Sequence, residues 1–349
     1  MDMFTTRTML PMLETEHRAK SFLRDRYFGN VRTFDTVKLD IDIVGPGKRK
    51  LAPFVHPKIG GKVVERGGYK TNSFEAPEVS PEMVTTAENM LHRSPGENIY
   101  NAKTPQERAA AQLGEDLANL DDMITRTEEK MCAEALFTGG VTVKGDGYDE
   151  YLAYWPTESA DQPVSTPSKL WTATDADILA DMRGVRRSMI QNSGVTPVEC
   201  LMGTNALEAF LGKLKGMNME LDFRRVDMGQ IDPQHLPNGV TYWGYFKDSA
   251  LDIFTYDEWY FDEEAGAEAP MVPLDKVLVA GRDARTTMAY GLVCLTKDGN
   301  TAPEFHVGSR VPDSWTQRKN PAGRIVQIKA KPLPIIHQIH GFHVLNPLG

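Results

Sequence analysis

TPQERAAAQLGEDLANLDDMITRTEEKMCAEALFTGG, Thr104 to Gly140, carries the strongest local signal in the chain. Thr104 can cap a helix, Pro105 suits the first helical position, and Glu107 completes a capping box. Leu113, Leu117, Leu120, Ile124, Met131 and Ala135 recur at spacings of three, four or seven, with Thr127 on the same stripe. Gly139-Gly140 ends the pattern. The spacing predicts a helix over Thr104 to Phe137, about 50 Å long at about 1.5 Å per residue. A mean globular helix has only about 11 or 12 residues. Around the narrow apolar stripe stand Glu115, Asp116, Asp121, Asp122, Arg126, Glu128, Glu129 and Lys130. Such a helix belongs to a coiled coil or bundle, or it is a spine laid along one side of a sheet.

Upstream, GGKVVERGGYKTNSFEAPEVSPEMV (Gly60 to Val84) has strand-like pieces at Lys62 to Arg66 and Tyr69 to Phe74, and few large apolar side chains. Before it, odd positions Leu51, Val55, Ile59 and Val63 lean apolar, with Pro53 and Pro57 between them. That is a weak period-2 signal for a long two-stranded ribbon with one greasy edge. A lone hairpin is marginally stable in water. So the ribbon is either floppy or held from outside itself. Residues 1–45 read as an extended arm with one short helix (Thr8 to Phe22) and a strand-like piece, Thr33 to Val44. In that piece Val37, Leu39, Ile41 and Ile43 alternate with polar residues up to Gly45-Pro46-Gly47.

Downstream, Gly145-Asp146-Gly147 is a turn between two short strands, and Pro156 to Lys169 is a polar linker. Residues 171–300 read as a compact α/β unit. Thr174-x-x-Asp177 opens a helix bearing Ile178, Leu179, Met182, Val185, Met189 and Ile190, which Gly194 ends. Asn205-x-x-Glu208 opens a second helix with Leu207, Phe210, Leu211 and Leu214. Strands are expected at Val198 to Met202, Val240 to Phe246, Leu251 to Tyr256 and Lys276 to Ala280. Ile325 to Val344 is strand-like, with Pro332 and Pro334 marking edges or breaks. No internal repeat or low-complexity tract occurs.

The bulk numbers exclude several classes. With 349 residues, 41% hydrophobic and 25% charged, the chain has ordinary globular composition, enough for one large core or two domains. A net charge of -9 argues against a general nucleic-acid binder, which needs clustered Lys and Arg. Cys132, Cys200 and Cys294 are odd in number and far apart, so a reducing compartment is expected. No signal-peptide core and no membrane-length apolar run is present. The phosphate-loop, dinucleotide-binding, zinc-protease and nucleophile-elbow motifs are all missing. Two clusters remain. His337, His340 and His343 could ligate zinc, although on a strand His340 would face away from the other two. DEWYFDEE, Asp257 to Glu264, pairs carboxylates that could do acid-base work, but at a Gly- and Pro-rich turn a solvated acidic loop is the better reading. Asp146, Asp149 and Glu150 lack the spacing of a calcium loop. No catalytic residue, metal site or cofactor is assigned.

The order of segments, with the residues themselves, resembles a known family. FVHPKIGGKVVERGGYKTNSFEAP (54–77), LFTGGVTVKGDGYDEYLAYWP (136–156), LWTATDADILADM (170–182), KVLVAGRDARTTMAYG (276–291) and SRVPDSWTQRKNPAGRIVQIKAKPLPII (309–336) resemble collinear pieces of lambda-type major capsid proteins, the capsid protein E family of tailed phages. The resemblance implies an α+β fold of the Hong Kong 97 type. Residues 1–45 would be the N-terminal arm, 46–92 the extended E-loop, and 93–170 the peripheral domain with its spine helix. Residues 171–300 would be the axial domain, and 301–349 returning strands of the peripheral domain. It also implies a non-enzymatic shell subunit of the virion, assembled in the host cytoplasm from copies of itself in pentamers and hexamers. A portal and a scaffold would be its partners, a decoration protein being left open, and double-stranded DNA would be enclosed without sequence-specific binding, with no membrane involved. The ribbon would lie across a neighbouring subunit, so Leu51, Val55, Ile59, Val63, Arg66, Gly67, Gly68 and Phe74 are the expected interface residues. Arg310 and Trp315 resemble family positions whose role is contact or core packing. No covalent crosslink is expected. An encapsulin-like nanocompartment and a metal-dependent enzyme using the three histidines stay open as alternatives.

Overall fold

The structure, a computed structural model, describes residues 21–36, 38–44, 51–56, 60–61, 63, 69–86, 104–145, 147–156, 161–216, 234–236, 239–263, 265–296, 303–319 and 322–349. The helices are α1 (Leu23–Tyr27), α2 (Pro105–Thr138), α3 (Ile178–Asn192) and α4 (Thr204–Gly216). The strands begin with β1 (Val31–Thr33), β2 (Lys38–Val44), β3 (Tyr69–Glu75), β4 (Glu82–Thr85), β5 (Gly140–Gly145), β6 (Tyr148–Ala153) and β7 (Val164–Ser165). Next come β8 (Glu199–Met202), β9 (Gln234–Leu236), β10 (Val240–Phe246), β11 (Leu251–Tyr256), β12 (Trp259–Asp262), β13 (Ala267–Pro270) and β14 (Val277–Ala280). The last are β15 (Thr286–Tyr290), β16 (Leu292–Leu295), β17 (Glu304–Val307), β18 (Val311–Gln317), β19 (Gly323–Lys329), β20 (Pro332–Ile336) and β21 (Phe342–Leu345). They gather into two compact units, the first from residues 1–39, 75–132 and 287–334, the second from 40–74, 133–286 and 335–349.

In the first unit, α2 begins as its capping box dictates. The Thr104 N–H donates to Glu107 Oε2 at 2.8 Å, and the Glu107 N–H donates to Thr104 Oγ1 at 3.3 Å. Leu113, Leu117, Leu120 and Ile124 then pack on Val326, Ile328 and Ala330, with Val79 and Met83 at the margin. Those partners come from or adjoin the antiparallel sheet β18–β19–β4. The helix is therefore a spine along a sheet, because its stripe meets strands rather than another helix. The charged flank is a correction to the sequence reading: Asp116, Asp121, Glu128 and Glu129 are buried. β1 runs parallel to β15, and β16–β17 is a separate hairpin.

The second unit is built on a seven-stranded mixed sheet of order β7-β21-β14-β8-β11-β10-β9. Ile178, Met182, Val185 and Met189 of α3, with Ala206, Leu207, Phe210 and Leu214 of α4, share one core with Cys200, Phe246, Ile253, Val277 and Val279. Asp177, rather than Thr174, caps α3, accepting from the N–H groups of Leu179 (3.1 Å) and Ala180 (3.0 Å). The last strand also differs from the sequence grouping. β21 lies in this sheet between β14 and β7, not with β18 and β19. Its residues Phe342 to Leu345 are all buried, which an apolar run inside a sheet explains and an edge strand would not. After α2, Gly139 turns the chain into the β5–β6 hairpin with φ +73°, and its carbonyl accepts from the N–H groups of Tyr154 and Trp155.

Candidate assembly surface

The expected interface residues separate into three groups. Leu51 and Val63 are 94% and 93% exposed, Phe54 is fully exposed and Val55 is partly so. Residues 51–56 form no strand, so the regular ribbon expected from the period-2 signal is not formed there. Pro53 explains this, since it offers no N–H for a ladder. Paired strands exist at the base, where β2 and β3 form a two-stranded sheet. Phe74 in β3 is buried in its own chain, edge-on to Tyr154 with ring centroids 5.4 Å apart. It seats the base of the segment. Ile59, Arg66, Gly67 and Gly68 lie outside the described residues, as does most of the helix expected at Thr8 to Phe22. Burying apolar side chains of the size of Leu, Val or Phe against a partner contributes about 1.5–3 kcal/mol each. Among the described residues of this segment, Leu51, Phe54 and Val63, with Val55, are therefore available for contact.

A second arrangement fixes the start of the described chain to the spine. The Glu129 carboxylate, buried on α2, accepts the N–H groups of Phe22 (2.8 Å), Leu23 (2.6 Å) and Arg24 (3.1 Å). It thereby satisfies three of the orphan donors at the start of α1. Beside it, Glu128 accepts from Arg24 Nη1 at 2.7 Å and from Arg310 Nη1 at 2.5 Å. Arg310 also donates to Asp121 through Nε at 2.5 Å and to Thr125 Oγ1 at 3.2 Å. Burial works against the Arg310 charge. The attraction and hydrogen bonds of Glu128, with Asp121, outweigh it, and the guanidinium is held more firmly protonated than usual. Asp116 accepts from Thr85 Oγ1 at 2.9 Å and from Gln112 Nε2 at 2.7 Å. Arg310, left open by the sequence between contact and packing, is thus a core ion-pair residue. Trp315 is half-buried on β18, opposite Ile325. The sequence reading missed these acids because their partners lie on distant segments.

The candidate chemical clusters resolve into structural roles. His343 is buried on β21, its Nε2 at 2.8 Å from Ser165 Oγ, while His340 sits in a single 3-10 turn, Ile339–Gly341. Burial, and then His340, push the His343 imidazole down to about 4. His337 is tied through its backbone N–H to the Arg285 carbonyl at 3.0 Å. Among the described residues, no three His, Cys, Asp or Glu side chains are grouped to hold a metal. DEWYFDEE forms β12 and the turn into β13, with Trp259 opposite Pro270 and Phe261 opposite Glu268. The exposed side chains of Leu51, Phe54 and Val63 thus remain the candidate contact surface.

Comparison with known proteins gives the chain a family and a fold. The family model described as phage major capsid protein E matches residues 5–343. The major capsid protein of Enterobacteria phage P21 is 24% identical over 356 residues, covering 99% of both chains. That of Enterobacteria phage phi80 is 22% identical over 344 residues, covering 96% of both. Among solved structures, the putative capsid protein of a prophage of E. coli CFT073 superposes with a TM-score of 0.71 at 18% identity, covering 98% of both chains.

Proposed function

The chain belongs to the phage major capsid protein E family, and from that membership we propose how it builds a shell. It is a major capsid protein of a tailed phage, a structural subunit of the icosahedral head and not an enzyme. Its fold is that of Hong Kong 97-like capsid proteins. The nanocompartment and metal-enzyme readings give way to that membership.

In our reading, residues 1–45 are the arm and 46–92 the E-loop. Residues 93–170 carry the peripheral domain with its spine, and 171–300 the axial domain. Residues 301–349 are the returning strands, of which β21 pairs within the seven-stranded sheet. The E-loop lies across a neighbouring subunit, placing Leu51, Val55, Ile59 and Val63, with Arg66, Gly67 and Gly68, against it. Phe74 supports the loop from within its own subunit. Head-to-tail contacts of this kind close into rings, here pentamers and hexamers. Many weak contacts per subunit then multiply into a stable shell. A portal and a scaffold are its further partners, and the head encloses double-stranded DNA without reading it. The observation that carries the E-loop reading is the nearly complete exposure of Leu51, Phe54 and Val63 on one segment.

The test is electron microscopy with sedimentation of the protein produced alongside its head-assembly partners. Uniform shells or capsomer rings are expected for the wild type. Replacing Leu51, Phe54 and Val63 together by Ser should leave a folded subunit that forms neither. Shells of normal diameter from the triple variant would overturn the E-loop assignment.

A further inference from the structure

We propose that the exposed face of the β12–β13 hairpin is the docking surface for the basic ribbon of a second copy of this chain. The inference rests on the shell reading above and names the receptor on the neighbour. Trp259 and Phe261 stand two residues apart on one strand, so both side chains project from one face. They are 48% and 63% exposed, a large apolar surface for a two-stranded element. Along the hairpin's own stretch of sequence the charge has a single sign. No Lys or Arg occurs between Asp248 and Asp275, while Asp257, Glu258, Asp262, Glu263 and Glu268 lie on or beside the hairpin.

The ribbon is the opposite in charge and alike in polarity pattern. Between Lys48 and Lys70 it carries seven Lys or Arg residues against the lone carboxylate Glu65. Its Leu51, Phe54 and Val63 stand exposed. The net charge of -9 for the whole chain makes this positive segment a local exception. Each surface supplies what the other lacks: cations for carboxylates, and aliphatic or aromatic side chains for Trp259 and Phe261. Complementary potentials of this kind fix partner and register. A Lys or Arg over the indole of Trp259 adds a cation–π contact. Within one copy Trp259 and Phe261 are exposed, and so are Leu51, Phe54 and Val63 among the described ribbon residues, so the occupant is assigned to the ribbon of another copy. Two different patches on one chain make a heterologous contact, the type that propagates around a ring.

Carbodiimide cross-linking tests this in particles grown from a mixture of unlabelled and heavy-nitrogen subunits. The reagent joins carboxylates to lysines in direct contact. Trypsin releases the hairpin whole, because no cleavage site lies between Lys247 and Lys276. Mixed-isotope links from this peptide to the ribbon lysines Lys58, Lys62 or Lys70 are expected. Links only within one isotope, to lysines elsewhere in the chain, or to a different protein of the particle would overturn the proposal. A charge swap gives an independent readout. Glu263→Lys with Glu268→Lys should lower particle yield by at least about tenfold while circular dichroism and the melting temperature hold. Adding Lys58→Glu and Lys62→Glu to that chain should restore the yield. Unchanged yield from the first pair, or no recovery from the second, also overturns it. A wild-type chain that forms neither rings nor shells strikes the shell reading itself; shells with the hairpin linked elsewhere strike this inference alone.

Discussion

The carboxylate of Glu129 accepts the backbone N–H of Leu23 at 2.6 Å, across 106 residues of chain. Phe22 and Arg24 share the same carboxylate. Glu129→Ala leaves three amide groups without that acceptor in a buried setting, and each lost partner costs about 1–3 kcal/mol. The expected outcome is faster tryptic cleavage after Arg24 and Arg26 at native conditions, with the rates at other sites unchanged. Equal cleavage rates in wild type and variant would show that the cap does not hold the segment.

Arg310→Met removes one partner each of Asp121 and Glu128. Breaking a buried pair from one side typically costs about 3–5 kcal/mol, because a charge is left unmatched. A large fall in the denaturation midpoint is expected. Adding Asp121→Asn should recover part of it. Arg310→Lys should not restore the wild-type midpoint, because an ammonium cannot reach Asp121, Glu128 and Thr125 in one plane. Full stability in Arg310→Lys would contradict the forked geometry.

Acidification should weaken the fold through His343. Its folded value, near 4, lies below the ordinary 6.5. The unfolded chain therefore takes up the proton first. The stabilisation is whole above about pH 6.5 and disappears as pH falls to about 4, amounting to at most about 3 kcal/mol. His343→Asn keeps a group able to bond Ser165 but does not titrate. Its melting temperature should fall less than the wild type's between pH 7 and pH 4. Parallel slopes for the two proteins would rule His343 out as the cause.

A side chain at Gly139 meets two obstacles. Its φ of +73° disfavours any Cβ, by about 1 kcal/mol, and that Cβ would stand 1.8 Å from the ring of Trp155. Gly139→Ala should therefore cost well over about 1 kcal/mol. In a Trp155→Ala background the same change should cost only the backbone share. Equal costs in the two backgrounds would show that the indole moves aside freely.

Arg66→Glu should block shell closure while the subunit remains folded, because it reverses a charge in the ribbon. Micrographs showing intact shells of wild-type diameter would dismiss this expectation.

What the sequence made legible was local. Thr104 and Glu107 lie three residues apart, so their reciprocal bonds could be read from the letters alone. So could the stripe from Leu113 to Ile124, because its period is the helix's own. The buried acids were not legible. Glu128 looks like a solvated face until Arg310, 182 residues away, and Arg24 are brought to it. The seven-stranded sheet escaped for the same reason: β7 and β21 pair across most of the second unit's chain, and no local pattern records that register. Of the assembly surface, exposure at Leu51 and Val63 followed from a segment too poor in apolar residues to cover itself. Phe74 looked equivalent to them, and only its contact with Tyr154 separates it.

The bonds from Glu129 to the first described residues address amide groups, which every residue except proline possesses. That join is blind to spelling. It recognises the path of the chain rather than its letters, so the segment it moors can be rewritten at Phe22 or Leu23 with other apolar residues while the mooring persists. Proline is the one letter it cannot accept there.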